Sequence, residues 1–276
     1  MFKYLKASFR RKIARRITKE YPPKIDTFDV KGIDTVEFAN WDNPLVAPLQ
    51  LDSNMIAFFK KFIKEGDLAI DIGANIGDTT VPIALASGAS GLTLGFDPNP
   101  YVFKILQKNA SLNKDKTNIE AIPFAITERE EEFYFISSEA SFANGGISTT
   151  KESKHGKFIY PGKIKGVNLK KFLEENYKNW LPKFSFIKID TEGYDKEILK
   201  SIKDLITVFK PTIIAESFDK ASNAEKIELY EVIEQLGYDV FYFEDFNIEA
   251  KVQKLDHKND ITNYKQTVNI YATPKK

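Results

Sequence analysis

Hydrophobic residues along this chain of 276 residues fall into short runs separated by amphipathic stretches, an alternation typical of α/β proteins. The apolar runs are short enough to be strands buried on both faces of a sheet. The stretches between them repeat apolar residues at three- and four-residue steps, as helices do. The pattern predicts seven strands, close to residues 68–72, 91–97, 120–126, 184–190, 211–216, 238–243 and 267–272.

Strands that alternate with helices build a parallel sheet with helices on both faces. The last two predicted strands have only a turn region between them, which allows them to pair as an antiparallel hairpin. We therefore expect a doubly wound, seven-stranded, mostly parallel sheet with an antiparallel hairpin at its edge.

A glycine-rich turn follows the strand predicted over 68–72, and a helix start follows the turn. Gly73 and Gly77 bracket the turn, and glycine lets a ligand approach the backbone closely. Asn75 lies between them, and asparagine tolerates left-handed backbone better than most residues. Strand, glycine turn and helix form the nucleotide-binding corner of such a sheet. An ordinary corner without a ligand would show the same elements.

Charge at this corner decides between nucleotides. A dinucleotide would place its pyrophosphate on the helix N-terminus. Here Asp71 and Asp78 flank the turn, and Asn75 replaces the middle glycine of the G-x-G-x-x-G pattern. A ligand that carries an ammonium and a sulfonium is favoured instead, which indicates S-adenosylmethionine.

Acidic residues end four of the predicted strands: Asp71, Asp97, Asp190 and Glu216. Because parallel strands share one carboxyl edge, we expect all four acids on one rim of the sheet. Asp97 is placed to accept hydrogen bonds from ribose hydroxyls. Ala125, near the end of the third strand, should lie close to the adenine.

The first 19 residues carry eight Lys and Arg residues and no acid, and their apolar residues recur at helical spacing. Such a basic amphipathic helix lies on an anionic membrane surface or packs on a domain with its basic face in water. Tyr21-Pro22-Pro23 ends it. The residues that follow predict an irregular lead-in with one possible strand near residues 35–38. We divide the chain into this helix with its lead-in, residues 1–50, and a main domain, residues 51–276.

The apolar run Phe133-Tyr134-Phe135-Ile136 suggests a further strand. Residues 138–165 after it form a polar segment rich in Ser, Gly, Asn and Lys, which predicts an inserted loop. A long loop here is either a lid over a substrate or surface decoration, and the sequence leaves both open. His155 lies in this loop, where a lone histidine is more often a surface residue than a catalytic one.

Net charge is +1, so composition does not favour a nucleic-acid partner. The chain has no Cys, which excludes disulfides and thiolate chemistry and fits a reducing compartment. No apolar run is long enough to cross a membrane, and charges interrupt the first residues too often for a signal peptide. We expect a cytoplasmic protein that contacts the inner membrane surface if residues 1–19 bind lipid.

Six segments together resemble the FkbM family of S-adenosylmethionine-dependent methyltransferases: AIDIGANIGDTT, GFDPNP, AIPFAI, VNLKKFL, FSFIKIDTEGYDKEIL and PTIIAE. They cover roughly residues 66–243. Two positions depart from the family pattern. Asp97 stands where the family usually has Glu, and Thr191 where it usually has Val.

The resemblance implies a Rossmann-like class I methyltransferase that transfers a methyl group to a hydroxyl of a sugar, glycan or secondary metabolite. It assigns the cofactor to Asp71, Gly73, Ala74, Asn75, Gly77, Asp78, Thr79, Asp97, Pro98, Asn99, Ala125 and Asp190. The candidate catalytic residues are Asp190, Glu192 and Glu216. Glu192 or Glu216 would take the proton of the acceptor hydroxyl.

Three alternatives stay open. Asp190, Glu192 and Glu216 could together hold Mg²⁺ through oxygen ligands, although we favour a metal-free reaction. The same corner could serve a nicotinamide-dependent oxidoreductase, which the flanking acids and the missing glycine oppose. The chain could also be a non-catalytic binding protein with a methyltransferase-like fold.

Overall fold

A computed structural model of the chain describes residues 2–191, 193–217, 221–264 and 268–275. Its helices are α1 Phe2–Ala14, α2 Ser53–Lys60, α3 Thr80–Ser87, α4 Pro100–Ser111, α5 Leu169–Asn176, α6 Asp195–Ser201, α7 Lys203–Phe209 and α8 Asn223–Gln235. Its strands are β1 Pro23–Val30, β2 Asp34–Trp41, β3 Leu68–Ile72, β4 Leu92–Phe96, β5 Ile119–Ile122, β6 Ala125–Ile126, β7 Glu131–Ser137, β8 Gly146–Ser148, β9 Phe158–Ile159, β10 Ile164–Val167, β11 Phe184–Ile189, β12 Thr212–Ser217, β13 Tyr238–Phe243, β14 Val252–Leu255 and β15 Val268–Pro274.

The central sheet has eight strands in the order β14-β13-β15-β12-β11-β3-β4-β5 within the described residues. The five strands from β5 to β12 pair in parallel. The three strands beyond β12 are joined by antiparallel pairs, β12 with β15, β15 with β13 and β13 with β14. The predicted pairing of the last two strands is present as β13 with β15. The sheet nevertheless exceeds the seven predicted strands, because β14 forms its edge. Only Leu255 of β14 is buried, so this strand has no apolar run to predict it.

A switch point lies between β3 and β11. The chain runs from β3 outward through β4 to β5, and later returns to the other side of β3 as β11. The two connections leave in opposite directions, which opens a crevice beyond the carboxyl ends of these strands. This is the edge at which the sequence predicts a ligand.

Both faces of the central sheet are covered. Leu68, Ile70 and Ile72 of β3 belong to one buried cluster with residues of α5 to α8. Ala69 points to the opposite face and belongs to a cluster with residues of α2 and α3. Alternating side chains of a strand point to opposite faces, so one strand contributes to two apolar layers.

The third predicted strand, 120–126, is interrupted. β5 ends at Ile122, and β6 pairs with β10 in a different sheet. Pro123, between them, has no backbone N–H to donate to a strand ladder. The chain therefore leaves the central sheet at this proline.

A second sheet, made of β6 to β10, contains much of the segment predicted as a loop over residues 138–165. β8 and β9 lie inside that segment, and β10 begins in it. These strands have two to four residues each, which is too short for an alternating apolar pattern.

The N-terminal region also differs from its prediction. β1 and β2 form an antiparallel hairpin, where the sequence predicted an irregular lead-in with one strand near residues 35–38. Only Val30 of β1 is buried, so its pattern is mostly polar. Helix α1 ends at Ala14. Its Arg10 forms an ion pair with Asp42, which directly follows β2. None of the described helices combines the length and the apolarity needed to cross a membrane.

Candidate functional site

A cavity of about 960 Å³, here called the large cavity, lies at the carboxyl ends of β3, β4 and β11 and beneath the second sheet. Nine of the residues predicted to bind the cofactor line it: Gly73, Asn75, Asp78, Thr79, Asp97, Pro98, Asn99, Ala125 and Asp190. The fold thus brings together residues that are up to 117 positions apart in the sequence, from Gly73 to Asp190.

The turn between β3 and α3 has left-handed backbone at three positions, with φ values of 76° at Gly73, 48° at Asn75 and 97° at Gly77. A Cβ atom at Gly73 would collide with the carbonyl oxygen of Asp190. The turn therefore packs directly on the end of β11, which only glycine allows. Gly77 packs against Leu106 of α4 and does not line the cavity.

Asp97 follows β4 and is 8% exposed. Its Oδ2 accepts a hydrogen bond from the Asn75 amide at 2.8 Å, and its Oδ1 accepts one from the Asn99 amide at 2.8 Å. Burial raises the pKa of Asp97 to about 7, against the lowering effect of these two amides. A carboxylate has about four acceptor sites, so acceptors are left for a ligand's hydroxyls.

Asp71 differs from its predicted role, because it does not line the large cavity. It lies inside β3 and is fully buried. Its Oδ2 accepts hydrogen bonds from the hydroxyls of Thr79 at 2.9 Å and Thr80 at 2.7 Å. Asp71 therefore fixes the start of α3 beneath the turn, and its contribution to a ligand is electrostatic.

Lys188 is a site residue that our sequence reasoning missed. It is 4% exposed, lines the large cavity, and lies 3.0 Å from Oδ2 of Asp190 and 3.5 Å from Oδ1 of Asp71. Burial alone would lower its pKa, but the carboxylates of Asp190, Asp71 and Asp78 outweigh burial and raise it. A lysine within the apolar strand FSFIKI was the signal that could have revealed it.

Asp78 and Asp190 both line the large cavity. Burial raises the pKa of Asp78 to about 6, while Lys188 opposes the shift and Asp71 adds to it. The glycine turn thus lies among four carboxylates, those of Asp71, Asp78, Asp97 and Asp190, and one ammonium, which is already paired. Such a site favours a cationic ligand over a diphosphate.

The remaining predicted residues lie elsewhere. Ala74 is fully buried and does not line the large cavity. Glu216 lines a second cavity of about 400 Å³, here called the small cavity. Glu192 lies outside the described residues. Asp190 and Glu216, two of the three proposed Mg²⁺ ligands, therefore border different cavities.

The two cavities share part of their walls, since Lys154, His155 and Gly193 line both. His155 is half-buried, and a Cβ atom at Gly146 would lie 2.5 Å from its Cε1, so β8 leaves room for the ring. Burial, and then the charge of Lys154, lower the pKa of His155. The sequence predicted a surface position for His155, because no neighbouring residue in the chain indicated that a sheet places it beside two cavities.

Candidate metal ligands do not cluster in the described part of the chain. No group of three or more His, Cys, Asp or Glu side chains there could hold a metal ion.

The switch-point crevice and the glycine turn define a nucleotide-binding protein of the Rossmann-like α/β class. The chain belongs to the FkbM methyltransferase family, because the family model described as "Methyltransferase FkbM domain" matches residues 71–240. No curated protein matches the chain.

Solved structures of methyltransferases are similar to the chain at low identity. An FkbM methyltransferase from Methylobacillus flagellatus is 13% identical with a TM-score of 0.47, over 76% of this chain and 44% of that one. A SAM-dependent O-methyltransferase from Thermotoga maritima is 11% identical with a TM-score of 0.43, over 92% and 78%. TYW2 from M. jannaschii, solved with AdoMet, is 14% identical with a TM-score of 0.43, over 94% and 90%. The chain thus spans less than half of the M. flagellatus protein.

Proposed function

We propose that this protein is an S-adenosylmethionine-dependent O-methyltransferase that acts on a hydroxyl of a sugar, glycan or secondary metabolite. The observation that carries the proposal is the acidic character of the large cavity at the glycine turn, within a chain of the FkbM family. When bound, S-adenosylmethionine supplies an electrophilic methyl group on a cationic sulfur.

The residues present fit this cofactor. Asp97 is held by two backbone amides and keeps acceptors for the ribose hydroxyls. Asp78 and Asp190 favour the cationic part of the ligand, and Ala125 lies in the same wall for the adenine. A volume of about 960 Å³ is at the upper end of the usual range for ligand sites. It leaves room for part of an acceptor beside the cofactor.

The oxidoreductase, one of the two rival functions, receives less support. A nicotinamide dinucleotide would bring its diphosphate to Asp78, Asp97 and Asp190, with Lys188 already paired to Asp190. A non-catalytic protein that binds the same cofactor would use Asp97 in the same way, so methyl transfer itself distinguishes the enzyme from it. Both rivals predict that no methyl group is transferred.

For the general base, we propose His155 beside the acids that the sequence indicated. Its lowered pKa keeps the imidazole neutral near pH 7, so it can accept the proton that an acceptor hydroxyl loses. It also borders both cavities, as a base between cofactor and acceptor must. Glu216 borders the small cavity, and Glu192 remains a candidate from the sequence alone.

We further propose that transfer does not require Mg²⁺. Lys188 donates to Asp190, and Glu216 borders the other cavity, so these two carboxylates do not form one oxygen cage. Activity that a chelator removes and Mg²⁺ restores would overturn this part of the proposal.

The second sheet supports a cover as the role of residues 138–165, one of the two roles that the sequence leaves open. Gly146, Ile147 and Ser148 of β8 line the large cavity. We propose that this sheet shields the reacting groups from water and contacts the acceptor.

Helix α1 supports a peripheral membrane contact at the cytoplasmic surface. Leu5 and Phe9 are 57% and 64% exposed on a helix whose charged residues are all basic. An exposed apolar pair within a basic helix suits an anionic lipid surface. The full chain should float with anionic liposomes, and a Leu5→Ser/Phe9→Ser variant should not. Equal recovery of the wild-type chain and the Leu5→Ser/Phe9→Ser variant in the soluble fraction would exclude the membrane contact.

The test of the function is mass spectrometry of glycans and small metabolites from the host with and without this gene. We expect one class of molecules to lose the mass of one CH₂ group when the gene is removed. Identical spectra, together with no transfer from labelled S-adenosylmethionine in vitro, would contradict the proposal.

A further inference from the structure

We propose that the small cavity is the acceptor site and that it recognises an anionic oxygen group, a carboxylate or a phosphate, through Lys226 and Ser217. The inference rests on the proposed function, because it assigns the acceptor of the same reaction. It narrows that acceptor to an acidic or phosphorylated sugar, or to a small molecule of the same chemistry.

Lys226 is a buried lysine that has no anionic partner among the described residues. The residue is 4% exposed and lines the small cavity. Its ammonium donates to the carbonyl oxygen of Tyr264 at 3.0 Å, but no carboxylate of the described residues lies within 4.0 Å of it. An ammonium has three donors, and burying its charge without a counter-ion is unfavourable. The position is explained if a ligand supplies the negative charge.

Ser217 provides an independent indication at the same wall. It is 2% exposed, and its hydroxyl has no hydrogen-bond partner within the part of the chain that the structure describes. Buried hydroxyls are nearly always paired, so an unpaired one that lines a cavity indicates a ligand. A hydroxyl beside an ammonium is suited to a carboxylate or phosphate oxygen.

Two acids on this wall already have protein partners. Asp195 accepts hydrogen bonds from the Glu216 amide through Oδ1 and from Thr191 through Oδ2. Glu225 forms a capping box with Ser222 at the start of α8.

Two further charged residues, Lys196 and Glu216, border the small cavity. Lys196 pairs with Glu228. Glu216 also borders the cavity, and a carboxylate can accept hydrogen bonds from sugar hydroxyls. The wall therefore offers one position for negative charge and another for hydroxyl groups.

The small cavity is also in the right place for an acceptor. It shares Lys154, His155 and Gly193 with the large cavity, so the two cavities adjoin at these residues. A volume of about 400 Å³ suits a small ligand. The acceptor's anionic group would lie on Lys226, and its reacting hydroxyl would point to the shared wall.

The test is calorimetry on the full chain in the presence of S-adenosylhomocysteine, the demethylated cofactor. The probes are inorganic phosphate, glucose 6-phosphate, glucuronate and uncharged glucose. We expect a charged probe to bind at least about tenfold more tightly than glucose, as charge-assisted hydrogen bonds require. Preference for glucose 6-phosphate would assign a phosphate, and preference for glucuronate a carboxylate.

Variants then locate the binding. Lys226→Met should lower the affinity for the preferred probe at least about tenfold, and Ser217→Ala should lower that affinity less. The control is Lys258→Met, which removes an exposed lysine paired with Glu231 and should leave binding unchanged. Binding that Lys226→Met leaves intact, or no binding of any charged probe, would overturn the assignment.

Thermal unfolding separates binding from structure. A buried charge without a counter-ion does not stabilise the empty protein, so Lys226→Met should melt at the same or a higher temperature. A marked drop in melting temperature would assign Lys226 a structural role instead. S-adenosylmethionine titrated into the wild-type protein isolates the proposed function. If it binds while the anions do not, only this inference fails.

Discussion

Asp97 shows how one side chain is prepared for a ligand before the ligand arrives. Two backbone amides orient its carboxylate, one from the turn after β3 and one from the start of α4. At the same time, burial makes its charge unfavourable in the empty protein. Lys188, which the sequence analysis did not single out, and His155, which it took for a surface residue, both lie beside neighbours that are distant in the chain.

Asp97→Ala should lower the affinity for S-adenosylmethionine by about tenfold to a hundredfold, because hydrogen bonds to a charged group are lost. The fold should persist, since the amides of Asn75 and Asn99 lie beside a cavity that water can enter. Calorimetry with circular dichroism checks both statements. An unchanged dissociation constant would contradict the assignment of Asp97 to the ribose.

Lys188→Met should destabilise the protein by about 3–5 kcal/mol, because it leaves Asp71 buried without its cation. Urea unfolding measures this effect. The double variant Lys188→Met/Asp71→Asn removes both charges and should recover part of the loss. If the single variant is as stable as the wild-type protein, Lys188 does not balance these acids.

His155→Gln should reduce turnover by about a hundredfold or more while the affinity for S-adenosylmethionine is retained, as expected for loss of a general base. Glu192→Gln is the matched comparison, because it removes the base that the sequence indicated. A turnover loss confined to Glu192→Gln would transfer the role of base to that residue.

At the scale of elements, the sequence predicted those parts of the fold that are fixed by local pattern. β3 and β13 have the predicted bounds. Of the second sheet only the strand near residues 133–136 was predicted, and of the β1–β2 hairpin only the strand near residues 35–38. The other strands are short or mostly polar and depend on tertiary pairing. Pro123 was a readable signal for the break between β5 and β6.

Gly73→Ala tests the element on which the site is built. Gly73 and Gly237 both have positive φ, but only at Gly73 would an added Cβ meet another atom within 4 Å, the Asp190 carbonyl oxygen. Gly237→Ala should cost about 1–2 kcal/mol from backbone strain alone. Gly73→Ala should cost clearly more and abolish cofactor binding. Equal unfolding free energies for the two variants would show that the turn does not pack tightly on β11.

Considered as a whole, the molecule concentrates unfavourable negative charge around its cavities. Burial raises the pKa of Asp97 to about 7, and those of Asp78 and Asp195 to about 6. Between these values and the ordinary pKa near 4, the folded state binds more protons than the unfolded state. The stability of the empty protein should therefore fall as pH rises through this window.

The wild-type protein and Asp97→Asn should consequently diverge with pH. Between about pH 5 and pH 7 the wild-type free energy of unfolding should fall relative to that of the variant by up to about 1.4 kcal/mol per pH unit. The variant loses one amide contact at every pH, which lowers its curve without changing the slope. Parallel curves from urea unfolding would show that the pKa of Asp97 is not raised.

The acidic cavity is central to the account, and one experiment addresses it most directly: calorimetric titration of the full chain with S-adenosylmethionine and, in parallel, with NAD. We predict saturable one-to-one binding of S-adenosylmethionine that weakens strongly in Asp97→Ala, and no binding of NAD. Saturable binding of NAD, with none of S-adenosylmethionine, would contradict the account.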